Sequence, residues 1–140
     1  MGRILAIDYG TKRTGLAVTD PLRLIAGALA TVETKQLERY IAEYFAKNDV
    51  DVIVVGKPSQ MSGKPSETMR FIEPLAGRLR HAYPEKQVVL YDERFTSVMA
   101  HRTMLESGIG KKARQDKALV DRIAATIILQ SYMESLELQR

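Results

Sequence analysis

The run DVIVVG at residues 51–56 restricts the fold most, because its apolar residues do not alternate with polar ones. A strand with one face in water alternates between apolar and polar residues, whereas a strand covered on both faces is apolar throughout. The run therefore predicts a central parallel strand in a sheet that carries helices on each side.

Four further short apolar runs predict the other strands of this sheet. The first two runs lie on either side of the segment YGTKR, which is predicted to be a turn. Gly10 within this segment and Gly15 shortly after it are both predicted to be turn residues. A third run continues this meander, although its alanines and glycine make it a weaker strand candidate. The predicted strands cover residues 3–8, 14–19, 25–32, 51–56 and 87–91.

Apolar residues at helical spacing predict helices between and after the later strands. These helices cover residues 34–48, 66–81, 97–107 and 113–138. A meander followed by strands that alternate with helices indicates an α/β protein with a mixed sheet. A length of 140 residues suits one domain over residues 1–140.

Several classes of protein are excluded by what the chain lacks. It contains no cysteine, which excludes a disulfide scaffold, a thiolate metal site and a cysteine nucleophile. Its apolar runs are far shorter than the roughly 20 residues that cross a bilayer. Because no secretory signal pattern is visible at the start, we expect a cytoplasmic protein without a membrane partner.

The positive charge is concentrated in one stretch. Residues 94–122 contain seven Lys or Arg and three acidic residues, and this excess equals the net charge of +4 of the whole chain. A basic stretch is typical of a polyanion-binding surface, but it is also typical of a solvated helix face.

Three acidic residues stand where catalytic groups are expected. Asp8 and Glu93 follow apolar strands, and active sites of such sheets lie at the carboxyl ends of parallel strands. Asp121 lies inside the last predicted helix, at the border of an apolar stripe formed by Val120, Ala124, Ile127 and Ile128. Alternatively, Asp8 is a turn residue, Glu93 a surface acid and Asp121 the partner of Lys117.

If the three carboxylates converge, they need a cation to offset their repulsion. Oxygen ligation favours Mg²⁺ or Mn²⁺ over zinc.

Four segments together resemble the YqgF family of RNase H-like proteins, over nearly the whole chain. They are DYGTKRTGLAVTD at 8–20, VIVVGKP at 52–58, YDERFTS at 91–97 and KALVDRIAATIILQSYME at 117–134. The resemblance implies a five-stranded mixed sheet in the order 3-2-1-4-5, with one antiparallel strand and helices on both faces. Family members are described as Holliday-junction-resolvase homologues and as pre-16S rRNA nucleases.

The resemblance also implies roles for individual residues. Asp8, Glu93 and Asp121 become the catalytic, metal-binding acids, with Arg94 and Thr96 supporting the site. Gly10 would allow close backbone approach. The chain departs from the family at Lys57 and at Ser62-Gly63, where the family has GLP and then an Asp-Gly pair, so an acidic role in that loop is not carried over.

Seven basic residues lie in predicted loops or helix starts that this topology can bring towards the acids. They are Lys12, Arg13, Lys57, Arg94, Lys111, Lys112 and Arg114, and we expect them to bind nucleic acid. The alternative is that they serve solubility. His81 and His101 are expected at the surface and not in catalysis.

The implied reaction is Mg²⁺- or Mn²⁺-dependent hydrolysis of a phosphodiester, with 5′ maturation of pre-16S rRNA as the expected process. A Holliday junction resolvase is the alternative enzyme, and an RNA-binding ribosome assembly factor is the alternative without turnover. The Asp-x-Gly motif also occurs in sugar kinases and actin-like ATPases, but those enzymes need two such domains, and 140 residues supply one. Either a monomer or a homodimer is compatible with the sequence.

Overall fold

The computed structural model describes residues 2–57, 69–92 and 117–138. Within these residues, five strands form one sheet in the order β3-β2-β1-β4-β5. The strands are β1 (Arg3–Asp8), β2 (Arg13–Thr19), β3 (Ala26–Glu33), β4 (Val50–Lys57) and β5 (Gln87–Asp92). β2 runs antiparallel to β1 and β3, whereas β1, β4 and β5 are parallel. The predicted sheet order and its one antiparallel strand are confirmed.

Three α-helices are present in the described part of the chain. They are α1 (Leu37–Lys47), α2 (Met69–Ala82) and α3 (Lys117–Leu138). The first predicted helix begins as a separate 3-10 turn at Thr34–Gln36, and α1 starts only after it. The predicted helix at 97–107 and the predicted start of the last helix lie outside the described residues.

The central position of β4 is confirmed, because its residues from Val52 to Gly56 are buried on both faces of the sheet. One face packs against α1 and α2 through Leu5, Ile7 and their neighbours. The other face packs against α3, and it carries Ile4 and Ala6 of β1. Alternate residues of a strand point to opposite faces, so odd and even positions of β1 serve different cores.

The helices differ in how well their buried faces were predicted. In α2 all five residues of the predicted stripe are buried: Met69, Ile72, Leu75, Ala76 and Leu79. In α3 the predicted stripe is wrong in part, because Val120 and Ala124 are only half-buried. The residues that face the sheet are Ala125, Ile128, Leu129 and Tyr132. The helix is apolar on more than one side, which makes several stripes equally consistent with its sequence.

The two glycines of the first turn region have different roles. Gly10 lies in the β1–β2 turn as predicted, where a Cβ atom would overlap the carbonyl oxygen of Arg13. The assignment of Gly15 to a turn is wrong, because this residue lies inside β2 and pairs with Asp8 of β1 and Thr31 of β3. Among the described residues no helix has the length and apolar character needed to cross a membrane.

Candidate active site

Asp8 is the last residue of β1 and lies at the carboxyl edge of the parallel strands. Ile4 and Ala6 of the same strand belong to the core that α3 covers. Because side chains alternate along a strand, the half-buried Asp8 side chain belongs to the face that α3 covers. This places Asp8 towards the helix that contains Asp121.

Asp121 belongs to the sheet-facing side of α3. It precedes Ala125 by four residues, and Ala125 is fully buried against the sheet. Residues four apart lie on one face of a helix, so Asp121 continues the buried stripe towards the helix N-terminus. The sequence predicted Asp121 at the border of the stripe that contains Val120 and Ala124. The structure places it instead in line with the stripe that contains Ala125.

Gly15 brings these two acidic residues together. In the antiparallel pairing of β1 with β2, Asp8 lies opposite Gly15. A Cβ atom at Gly15 would overlap the carbonyl oxygen of Asp121 and would come within 3.1 Å of the Asp121 Cβ atom. The backbone of α3 therefore rests directly on the residue that is paired with Asp8.

Ala125 is fully buried where α3 packs on the sheet, but the residue that allows the closest approach is Gly15 in β2. A glycine inside a strand is a known sign of close backbone approach, and this signal was available in the sequence.

The partner of Asp121 is Arg13. The Arg13 Nε atom donates a hydrogen bond of 2.9 Å to the Asp121 Oδ2 atom. Arg13 is two residues before Gly15, so alternation gives it the same face of β2. This contact gives Asp121 a partner 108 positions away in the sequence. The Lys117 side chain lies outside the described ones, so its alternative pairing with Asp121 is not tested.

The N-terminal end of α3 is also attached to the edge strand. Thr31 of β3 donates a hydrogen bond of 2.6 Å through its hydroxyl to the carbonyl oxygen of Ala118. Ala118 is in the first turn of α3, three residues before Asp121. The helix is thus attached to β2 and β3 on the side of the sheet where Asp8 ends its strand.

The β1–β2 turn is fixed by Thr34. The Thr34 hydroxyl donates to the carbonyl oxygen of Gly10 at 2.6 Å, and the Thr34 amide donates to the carbonyl oxygen of Lys12 at 3.0 Å. The Lys12 side chain itself is exposed. The turn therefore presents an exposed cation on a backbone that is hydrogen-bonded in place.

The carboxyl edge continues across β4 and β5. Lys57, the exposed last residue of β4, lies opposite Asp92, the exposed last residue of β5. The edge therefore carries Asp8, Arg13 and Asp121 on the face that α3 covers, with Lys12 in the adjacent turn. Lys57 lies at the same edge, but alternation from Val55 gives it the face that α1 and α2 cover.

The remaining predicted residues lie outside the described residues, and their roles stay predictions. They are Glu93, Arg94, Thr96, Lys111, Lys112 and Arg114, and the same holds for His101 and the Ser62-Gly63 loop. Among residues 2–57, 69–92 and 117–138 no group of three acids or histidines forms a metal cluster. Glu93, the third acid of the predicted set, is not among these residues.

The donor chemistry at Asp8 and Asp121 fits a hard divalent cation. Both residues offer carboxylate oxygens, which are the ligands of Mg²⁺ and Mn²⁺. The Asp121 carboxylate already holds a cationic group, the guanidinium of Arg13, in a part-buried position. These residues therefore suit a cation at this edge of the sheet.

The fold and the acidic edge together define an RNase H-like protein. Thermus thermophilus RuvC in complex with a Holliday junction substrate has the same fold, with a TM-score of 0.55 and 17% identity over 95% of this chain and 96% of that chain. A second structure of Thermus thermophilus RuvC gives a TM-score of 0.50 and 18% identity, over 94% and 96% of the two chains.

The sequence comparisons then give the family. The family model described as "RuvX: Holliday junction resolvase" matches residues 2–135. A protein of Bacteroides thetaiotaomicron named "Putative pre-16S rRNA nuclease" is 58% identical over 96% of this chain and 98% of its own length. A protein of Parabacteroides distasonis with the same name is 52% identical over 99% of both chains. The chain belongs to the RuvX family, also called YqgF, whose description implies a hydrolase acting on nucleic acid.

Proposed function

We propose that this protein is a Mg²⁺- or Mn²⁺-dependent endonuclease of structured nucleic acid, and that its substrate is the 5′ region of pre-16S rRNA. The observation that carries the proposal is the convergence of Asp8 and Asp121 through Gly15. Family membership supports phosphodiester hydrolysis, and the names of the relatives support the rRNA precursor as substrate.

The acidic residues would hold the metal. Asp8 and Asp121 supply carboxylate oxygens from β1 and α3, and Glu93, which directly follows β5 in the sequence, would supply a third carboxylate. A divalent cation bound there supplies water activation and stabilisation of the leaving oxygen.

The basic residues would hold the substrate. Lys12 and Lys57 are exposed at the same edge as Asp8, and cations in such positions bind phosphate oxygens without reading the base. They would place the scissile phosphate over the acidic residues. Arg94, Lys111, Lys112 and Arg114 would extend this surface, supported by the excess of basic residues in that segment.

A Holliday junction resolvase is the second candidate, because the matching family model carries that description. Both reactions break the same phosphodiester linkage, so the metal-binding acids do not distinguish them. An rRNA nuclease would act in the cytoplasm on an asymmetric substrate as a monomer or homodimer. A resolvase needs two symmetric cuts and hence a dimer.

The test offers both substrates to the purified protein with and without Mg²⁺. One is a precursor 16S fragment that includes the 5′ flanking sequence, and the other is a four-way DNA junction. We expect metal-dependent cuts in the 5′ flank of the RNA and little cleavage of the junction.

Paired cuts in the junction alone would instead support the resolvase. Tight RNA binding without cleavage in Mg²⁺ or Mn²⁺ would support the assembly factor.

A further inference from the structure

The ion pair between Arg13 and Asp121 occupies a group that the proposed metal needs. The hydrogen bond of 2.9 Å involves the Oδ2 atom of Asp121, whose side chain is 23% exposed, while that of Arg13 is 40% exposed. The Asp121 carboxylate is thus largely buried, and its charge is offset by the Arg13 guanidinium. A metal that approaches Oδ2 meets the positive charge of this guanidinium, which opposes metal binding there.

The pair is held by the backbone on both sides. The contact of Gly15 with the Asp121 backbone fixes the helix against β2, and Arg13 belongs to the same strand and the same face. The backbones that carry the two partners are therefore held at a fixed separation, while the part-exposed Arg13 side chain can still rotate towards another anion. The guanidinium and a metal thus compete at one carboxylate whose place in the fold does not change.

We propose that Arg13 is the counter-ion of Asp121 in the metal-free protein and couples metal loading to substrate binding. This inference rests on the proposed function. When phosphate from the nucleic acid binds the guanidinium, Oδ2 of Asp121 becomes available to the metal. Arginine suits this exchange because its planar guanidinium binds carboxylate and phosphate with similar geometry.

The coupling has a necessary thermodynamic consequence. If phosphate binding raises the affinity for the metal by some factor, metal binding raises the affinity for the phosphate by the same factor. The protein would then be loaded with metal mainly when substrate is present. The metal-free protein is spared the repulsion of unpaired carboxylates.

The test measures the affinity for Mn²⁺ by isothermal titration calorimetry on the metal-free full-length protein without nucleic acid. The variants are Arg13→Gln and, as the matched control, Lys12→Gln. Lys12 is the neighbouring cation in the chain, so its loss changes the net charge equally, while Arg13 makes the hydrogen bond to Asp121.

We expect Arg13→Gln to bind Mn²⁺ about three- to tenfold more tightly than the parent, the range for a part-exposed, charge-assisted pair. Lys12→Gln should change the affinity by less than about twofold, because a more distant exposed charge is screened by salt.

Arg13→Lys keeps the charge without the planar fork and should lie between the parent and Arg13→Gln. In cleavage assays, Arg13→Gln should need less metal and should raise KM for nucleic acid more than it lowers kcat. Circular dichroism of each variant checks that the fold is retained, and Arg13→Lys decides the matter if Arg13→Gln does not fold.

Equal Mn²⁺ affinities of Arg13→Gln and Lys12→Gln, with metal-dependent cleavage intact in the parent, would overturn this inference alone. Absence of Mn²⁺ binding by the parent and by Arg13→Gln alike, together with no metal-dependent cleavage by the parent, would overturn the proposed function and this inference together.

Discussion

At the scale of single residues, the site depends on Gly15, which has no side chain, as much as on the acidic residues Asp8 and Asp121. Asp8 and Asp121 were predicted from their residue type and position, and the structure brings their segments together. Neither the contact through Gly15 nor the pairing with Arg13 was predicted. Both join residues over 100 positions apart, and such contacts are set by the packing of α3 on β2 rather than by local sequence.

The role of Gly15 predicts a large effect of one methyl group. Gly15→Ala would push against the carbonyl oxygen of Asp121, which is backbone and cannot rotate away. We expect a loss of about 2 to 3 kcal/mol in the free energy of unfolding, measured by urea denaturation, since overpacking forces the backbone to shift. Metal-dependent cleavage should fall as well, because Asp121 moves with α3.

Gly27→Ala is the matched control for this experiment. Gly27 also lies in a strand, but a Cβ atom there would meet nothing within 4 Å. We expect its free energy of unfolding to stay within about 0.5 kcal/mol of the parent. Equal stability of the two variants would show that α3 does not rest on Gly15.

At the scale of elements, the strands were predicted closely and the helices less closely. The bounds of β1 were predicted without error, and each of the other four strands begins or ends within one residue of its prediction. Strands are short apolar runs between turns, so their limits are visible in the sequence. The buried stripe of α3 is not visible in the sequence in this way, because the apolar residues of this helix cover more than one face. Only the packing of the helix on the sheet decides which of these faces is buried.

The turn between β2 and β3 depends on the charge of Asp20. The Asp20 carboxylate accepts hydrogen bonds from the amides of Ile25, Leu24 and Leu22. These bonds, that from Ile25 most of all, hold the pKa of Asp20 below its ordinary value of 3.8. A carboxylate with a lowered pKa stabilises the fold above the ordinary value, and this stabilisation is lost as the pH falls through the lowered pKa.

We therefore expect Asp20→Asn to be less stable than the parent at pH 7. The difference should narrow below about pH 3.8 and should vanish once the parent carboxylate is protonated in the folded state. Urea midpoints of both proteins at pH 7, 5 and 3 would measure it. A difference that is the same at pH 3 as at pH 7 would mean that the charge of Asp20 does not stabilise this turn.

At the scale of the whole molecule, the basic residues are distributed unevenly along the chain. The described carboxyl edge carries Arg13 on the same face as Asp8, with Lys12 in the adjacent turn and Lys57 at the end of β4, and the excess of cations in the sequence falls within residues 94–122. The family and the fold followed from the sequence, because four motifs in order define both. The choice between an RNA and a DNA substrate does not follow from the acids, since both share the phosphodiester.

This distribution predicts a strong dependence of nucleic-acid binding on salt. Neutralising Lys111, Lys112 and Arg114 together should weaken binding about equally for different sequences, because phosphate contacts do not read bases. The slope of log affinity against log salt should flatten by roughly one unit per lost contact. Fluorescence anisotropy between 50 and 300 mM salt, on the order of the range over which such contacts are lost, would measure the slope. An unchanged slope would make this segment a solvated face only.

The central claim is that Asp8 and Asp121 hold the catalytic metal together. The most direct measurement is the rate of Mg²⁺-dependent cleavage of the precursor RNA by Asp8→Asn, Asp121→Asn and Glu93→Gln, at matched nucleic-acid binding. Asp92→Asn is the control, because Asp92 is the exposed acid next to Glu93 and outside the proposed set.

We expect a fall of at least about a hundredfold for each of the three variants, and near-parental cleavage for Asp92→Asn. Combining Asp8→Asn with Asp121→Asn should cost little more than the worse single change, because residues that act as one unit are not additive. Near-parental cleavage by Asp121→Asn would contradict the account, since Asp121 would then serve only as the structural partner of Arg13.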